Sequence, residues 1–313
     1  MSALLFPGQG SQVVGMGLEF YNKFDLVKKI FKEADDSLNY KISKIILEGP
    51  TDKLQLTENT QPGILTVSYS IFRVMKDEFN FDFNLIDCFA GHSLGEYSAL
   101  VSNNSLKFND AIYLLHERGK AMQEAVPLGE GSMLAILGLD IEKINEILAD
   151  DVLKNSICEI ANDNATGQVI VSGEKSGIDK LIILLKERKI KSIPLKVSAP
   201  FHCSMMKPAA EKMKEKIEKT KFINPDTRII LNVTAKEEKS AEKIKEMLIK
   251  QIFSTVRWRE SITNISNMGT KNFIEIGPGK ALSGMIKRTI KNANCFSINS
   301  LTDIKNLENE LKK

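Results

Sequence analysis

The chain has 313 residues and an ordinary apolar fraction of 42%, enough for one large α/β domain or for one domain with another inserted. Its formal net charge is only +3 and its lysines are mixed with glutamates, so there is no electrostatic case for a nucleic-acid partner. The cysteines, Cys88, Cys158, Cys203 and Cys295, are too far apart for a CxxC unit and read as reduced thiols in a cytoplasmic protein without a bound metal. "MSALLFPGQG" lacks the pattern of a signal peptide, and no run approaches about 18 apolar residues, so neither export nor a membrane span is expected.

In chain order, "ALLFPGQGSQ" opens as a short apolar strand running into a Gly-rich turn. A helix is predicted from "QPGILTVSYSIFRVMKDEF", with Pro62 at its start. "FNLIDCFAG" suits a buried parallel strand, and "SLGEYSALVSNN" has helical character. "NDAIYLLHERGKAMQEAV" is a further helix, with Asn109 or Asp110 as its cap. The middle then reads as strand "GSMLAILGL", helix "DIEKINEILADD", strands "ICEIAND" and "QVIVSG", helix "SGIDKLIILLKERK" and strand "IKSIPLKVS". That β-α-β-β-α-β order is ferredoxin-like. It predicts a small domain over residues 127–197, interrupting a larger α/β domain built from 1–126 and 198–313. The larger part resumes at "APFHCSMM" and includes strands in "RIILNVTA" and "NFIEIGPG".

Gly91, Ser93 and Gly95 fit G-x-S-x-G. Alone, that pattern is common and an inert turn is its ordinary reading. Here it falls where a strand meets a helix, the geometry that exposes a nucleophilic hydroxyl. The N–H of Leu94, at the helix start, is a natural oxyanion donor. A serine nucleophile needs a base, and the chain has three histidines. His92 adjoins Ser93 and suits packing of the turn; His116 lies within a helix; His202 sits in a loop leaving the last strand of the small domain and is the best base by elimination. Arg118 shares the i, i+3, i+4, i+7 face of Ala111, Leu114, Leu115 and Met122, so it points inward. A buried guanidinium needs a partner, either an internal carboxylate or a carboxylate on a ligand. "FPGQGSQ" lacks a Walker or dinucleotide pattern; Gln9, between two glycines, suits a turn whose N–H approaches a reacting oxygen.

Together, "FPGQGSQ", "GHSLGEYSAL", "RGKAMQEAVPLGEGSMLAIL", "SAPFHCSMM" and "EIGPGKAL" resemble the successive motifs of malonyl-CoA:acyl carrier protein transacylases, from the first strand to about Arg288. The resemblance implies an α/β-hydrolase-like large domain carrying a ferredoxin-like subdomain. It implies a ping-pong transfer of malonyl from malonyl-CoA to acyl carrier protein, in fatty acid synthesis, with no bound cofactor. Ser93 is then the nucleophile, His202 the base, Gln9 and Leu94 the backbone oxyanion donors and Arg118 the malonyl anchor. "KQIFSTVRW" resembles the segment whose backbone carbonyl orients the histidine, at Gln251, and Met133 resembles part of the pocket wall. Phe201, in "APFH", resembles the aromatic that excludes a methyl branch. Lys287 and Arg288, with Lys189 and Lys191 of the small domain, are the docking candidates for an acidic carrier protein. "NDNATGQ" departs from the family in having Thr166 where many relatives have proline. A monomer is expected. The competing classes are a serine hydrolase, whose histidine would lie near the chain end, and a non-catalytic carrier-protein adaptor.

Overall fold

The computed structural model describes residues 1–311; residues 312 and 313, at the end of the 198–313 segment, lie outside the described residues. Ten strands are present among them: β1 (Ser2–Phe6), β2 (Ile86–Gly91), β3 (Gly131–Leu137), β4 (Cys158–Ala165), β5 (Gln168–Glu174), β6 (Ser192–Pro194), β7 (Arg228–Ile230), β8 (Glu237–Glu238), β9 (Asn272–Ile276) and β10 (Asn294–Ile298). They form two sheets, ordered β10-β9-β1-β2-β7-β8 and β4-β5-β3-β6. The fold is α/β. In the larger, α/β-hydrolase-like sheet every pairing is parallel except β7 with β8.

β1 is central, and its residues are buried throughout, as a parallel strand covered on both faces requires. Alternation sorts its side chains. Leu4 and Phe6 enter the main core with Phe89, whereas Ala3 and Leu5 join Cys88, Ala90, Ile230 and Trp258 on the opposite face. The smaller sheet is antiparallel, and its strand order is that of a ferredoxin-like β-α-β-β-α-β unit. The helices Ile141–Leu148 and Lys175–Glu187 cover it over a separate core of Leu134, Ile136, Val169, Val171, Ile178 and Leu181.

Three local readings are corrected. The helix predicted to begin at Pro62 runs from Thr57 to Asp77, with Pro62 inside it. Proline removes the N–H that would bond the Glu58 carbonyl. That carbonyl instead accepts from Nδ1 of His116 at 3.1 Å, so the break is repaired by a side chain on another helix. That second helix, Phe108–Glu124, is preceded by Lys107, and neither Asn109 nor Asp110 caps it. Gly119 brings the two helices together, since a Cβ there would strike the backbone of Glu58. Finally, the strand in "RIILNVTA" stops at Ile230, and the chain turns at Leu231 and Asn232. No helix among the described residues is long and apolar enough to cross a membrane.

Candidate active site

β1 and β2 end side by side, with Phe6 opposite Gly91. The chain leaves β2 through His92 and Ser93 and enters the helix Gly95–Ser102. Ser93 has φ 53°, the left-handed region that a serine adopts only under constraint. The motif glycines serve closeness. A Cβ on Gly91 would collide with the Gly95 carbonyl, and one on Gly95 with the Phe6 carbonyl. The turn is therefore folded onto itself and pressed against β1, with Ser93 at the carboxyl ends of the parallel strands, where open α/β sheets bind ligands.

Ser93 Oγ lies 2.8 Å from Nε2 of His202, across 109 positions of sequence. His202 also has a left-handed backbone, φ 60°. Its Nδ1 lies 2.8 Å from the backbone carbonyl of Gln251. A carbonyl only accepts, so Nδ1 carries the proton and Nε2 is left to accept from the serine hydroxyl. Burial, followed by the positive charge of Arg118, pushes the His202 pKa down to about 3, so the imidazole is neutral.

Arg118 is 1% exposed. Its Nη1 donates to Gln61 Oε1 at 2.7 Å, and Nη2 donates to Gln251 Oε1 at 2.9 Å and to Ser93 Oγ at 3.2 Å. Among the described residues no carboxylate lies within 4.0 Å of this guanidinium, so the internal ion pair left open by the sequence is absent. The Tyr97 ring lies 5.9 Å from it.

Sequence reasoning missed a layer behind these groups. Asn232 Oδ1 accepts from the Ser93 N–H at 2.7 Å, and its Nδ2 donates to the Gly91 carbonyl at 2.7 Å. β7 pairs with β2 up to Ala90 and Ile230, which delivers Asn232 to the turn. The Asn232 N–H donates to Glu96 Oε2 at 2.8 Å. Burial lifts the Glu96 pKa to about 7. The Gln251 side chain adds a bond from Nε2 to the Ser93 carbonyl at 3.1 Å. The available signals were faint: a lone Asn in an apolar run, and a Gln just before Pro62.

The other candidates are more dispersed. No hydrogen bond within the described residues uses the N–H of Leu94 or of Gln9. Leu94 follows Ser93 directly, and Gln9 follows Gly8, which abuts the His92 carbonyl. Met133 and Phe201 are buried in the main apolar cluster. His92 bonds Asn164 Oδ1 at 2.8 Å and packs edge-on against Trp258. Lys189, Lys191, Lys287 and Arg288 are exposed, and Arg288 donates to Gln168 at 2.8 Å. The Thr166 N–H donates to the Thr289 hydroxyl at 3.4 Å, a bond that a proline there could not donate. A cleft of about 730 Å³, with His202, Glu159, Phe253, Ser254 and Thr255 in its wall, opens between the two sheet units. Among the described residues, no cluster of three or more His, Cys, Asp or Glu side chains could hold a metal ion.

A neutral histidine on a strained serine, beside a buried cation, is equipped for acyl transfer, and residues 3–310 match the family of acyl transferase domains. The malonyl CoA-acyl carrier protein transacylase of Bacillus subtilis (strain 168) is 45% identical over 288 residues, covering 91% of this chain and 89% of that relative. The crystal structure of an acyl-carrier-protein-S-malonyltransferase from Bartonella henselae superposes with a TM-score of 0.96 at 39% identity, over 100% of this chain and 99% of that one. A malonyl-transacylase solved in complex with its type II PKS acyl-carrier protein gives 0.94 at 39% identity, over 98% and 99%. The chain belongs to the malonyl CoA-acyl carrier protein transacylase family.

Proposed function

We propose that the protein transfers a malonyl group from malonyl-CoA to the phosphopantetheine thiol of acyl carrier protein, supplying fatty acid synthesis, through a malonyl-serine. The observation that carries this reading is the buried Arg118 guanidinium, 3.2 Å from the Ser93 hydroxyl and without a carboxylate partner of its own among the described residues. It supplies a two-point anchor for the free carboxylate of malonate, beside the attacking oxygen.

In the first half-reaction Ser93 Oγ attacks the thioester carbonyl while His202 Nε2 takes the hydroxyl proton. The N–H groups of Leu94 and Gln9 hold the oxyanion. The C–S bond breaks and His202 returns the proton to the departing coenzyme A thiolate. In the second half the carrier thiol gives its proton to His202 and its sulfur attacks the malonyl-serine carbonyl. The C–O bond to Ser93 then breaks and the serine is reprotonated. The Gln251 carbonyl holds the histidine tautomer throughout. Met133 and Phe201 bound the acyl pocket, Phe201 against branched chains. Lys189, Lys191, Lys287 and Arg288 form the rim for the acidic carrier protein. Residues 127–197 form the inserted domain between 1–126 and 198–313. The protein acts as a cytoplasmic monomer with no resident cofactor.

Labelled malonyl-CoA separates this from its rivals. Label on carrier protein is expected; free malonate without carrier labelling would mean a hydrolase, and no turnover an adaptor. Intact mass after brief exposure to malonyl-CoA should show a malonyl adduct, lost in Ser93→Ala. Arg118→Ala should cut malonyl transfer by about 10³-fold while sparing acetyl transfer. An equal loss for both acyl groups would make Arg118 structural.

A further inference from the structure

We infer that Gln61 is a specificity-determining residue, which holds Arg118 in place with a neutral oxygen and so leaves the guanidinium free of a direct ion pair until the substrate carboxylate arrives. The inference rests on the proposed malonyl reading of Arg118. Both side-chain amides on the guanidinium are carboxamides, Gln61 on Nη1 at 2.7 Å and Gln251 on Nη2 at 2.9 Å. Their orientations are fixed from behind. The Gln61 Nε2 faces Met122 Sδ at 3.8 Å, a soft and weak acceptor, so its oxygen is the end turned to the arginine. The Gln251 Nε2 is spent on the Ser93 carbonyl at 3.1 Å. Among the described residues the Arg118 Nε–H has no hydrogen-bond partner, and it remains for a ligand.

Gln61 is 1% exposed and sits on the first turns of the helix Thr57–Asp77, whose interrupted ladder at Pro62 is closed by His116 on the same helix as Arg118. The amide and the guanidinium are thereby registered to each other. A carboxylate at position 61 would occupy the same place with the same reach. It would form a buried ion pair with Arg118, and the guanidinium would no longer offer an unpaired charge to an incoming carboxylate. Gln61 thus discriminates by what it lacks: it satisfies the guanidinium's hydrogen bonding without satisfying its charge.

The test compares kcat/KM for malonyl-CoA and acetyl-CoA in the wild type, Gln61→Glu, Gln61→Met and Arg118→Ala. Gln61→Glu is expected to lower the malonyl-to-acetyl ratio by roughly 10²-fold. Gln61→Met, which removes the oxygen but adds no charge, is expected to keep the ratio within about threefold, even if both rates fall. If Gln61→Glu does not fold, Gln251→Glu places a carboxylate on the other nitrogen; it also gives up the amide bond to the Ser93 carbonyl, a loss that slows both acyl groups alike, so the malonyl-to-acetyl ratio is still what is read. A ratio that survives the glutamate, or that collapses equally in Gln61→Met, overturns the inference while leaving the anchor intact. A ratio unaffected by Arg118→Ala overturns the anchor reading, and this inference with it.

Discussion

Ser93 and His202 both have left-handed backbones, and each is held there by bonds to distant parts of the chain. Their chemistry follows from burial. His202 has its pKa displaced to about 3 from an ordinary 6.5, so the base form persists where a free histidine would be protonated. The acid limb of kcat/KM for malonyl-CoA in the free enzyme is therefore expected well below pH 6.5. A limb near 6.5 would mean that His202 is solvated and misassigned. His202→Ala should slow both half-reactions by about 10²–10⁴-fold, read from burst kinetics. For stability the sign is the same: the folded state refuses a proton that the unfolded chain accepts, so this histidine costs stability as pH falls from 6.5 toward 3. Ser93 and the inward aim of Arg118 were legible because each depends on local spacing. Asn232 and Gln61 were not. Asn232 acts on Ser93 from 139 positions away, and Gln61 on Arg118 from 57, and nothing in the intervening pattern marks either pairing.

The turn between β2 and the helix Gly95–Ser102 is built on absent side chains. Gly95→Ala would push a methyl into the Phe6 carbonyl, a backbone atom that cannot swing aside. A loss of at least about 2 kcal/mol is expected in denaturant melts, with adduct formation falling in the remaining folded protein. Glu96, in the first turn of that helix, offers a second test. Its folded pKa is raised to about 7 from 4.5, so its protonated form is favoured by folding, and its contribution is lost as pH rises through that window. Glu96→Gln mimics the protonated state. Its stability relative to the wild type should therefore improve steadily from about pH 5 to pH 8, measured by urea midpoints, and a pH-independent difference would refute the assignment. At this scale the order of elements from Pro62 to the end of the small unit could be read from the sequence, but their ends could not, and the four helices between Leu18 and Gln55 were not read. Proline and cap rules placed the helix starts at Pro62 and at Asn109 or Asp110, whereas the first helix runs through Pro62 with a histidine of its neighbour on the freed carbonyl, and the second starts at Phe108 without a side-chain cap.

The small sheet followed from its β-α-β-β-α-β signals, which admit few topologies, whereas the order of the larger sheet, with its strands β8 and β10, was not legible because its pairings join distant parts of the chain. Carrier docking is a property of the whole surface. The rim candidates come from both units, and Lys191 and Gln168 flank Leu137 from opposite sides at one end of the small sheet, where Arg288 reaches Gln168. Exposed charges are screened by salt. Charge reversal at Lys287 and Lys189 should weaken the carrier-protein half-reaction several-fold at low ionic strength, with the difference shrinking as salt rises. The malonyl-CoA half-reaction should be unmoved, and a loss confined to that half would place the patch elsewhere.

The partner of His202 Nδ1 is a main-chain carbonyl. Every amino acid at position 251 brings that same oxygen, so no codon change there can delete it. An alanine scan would register position 251 only through the lost amide contacts to Arg118 and Ser93. This support of the histidine is invisible to point mutation and, by the same fact, immune to it. Selection can drift at the side chain without ever losing the acceptor. Only backbone chemistry reaches it: a thioamide at residue 251, installed by semisynthesis, would weaken the acceptor while leaving every side chain in place.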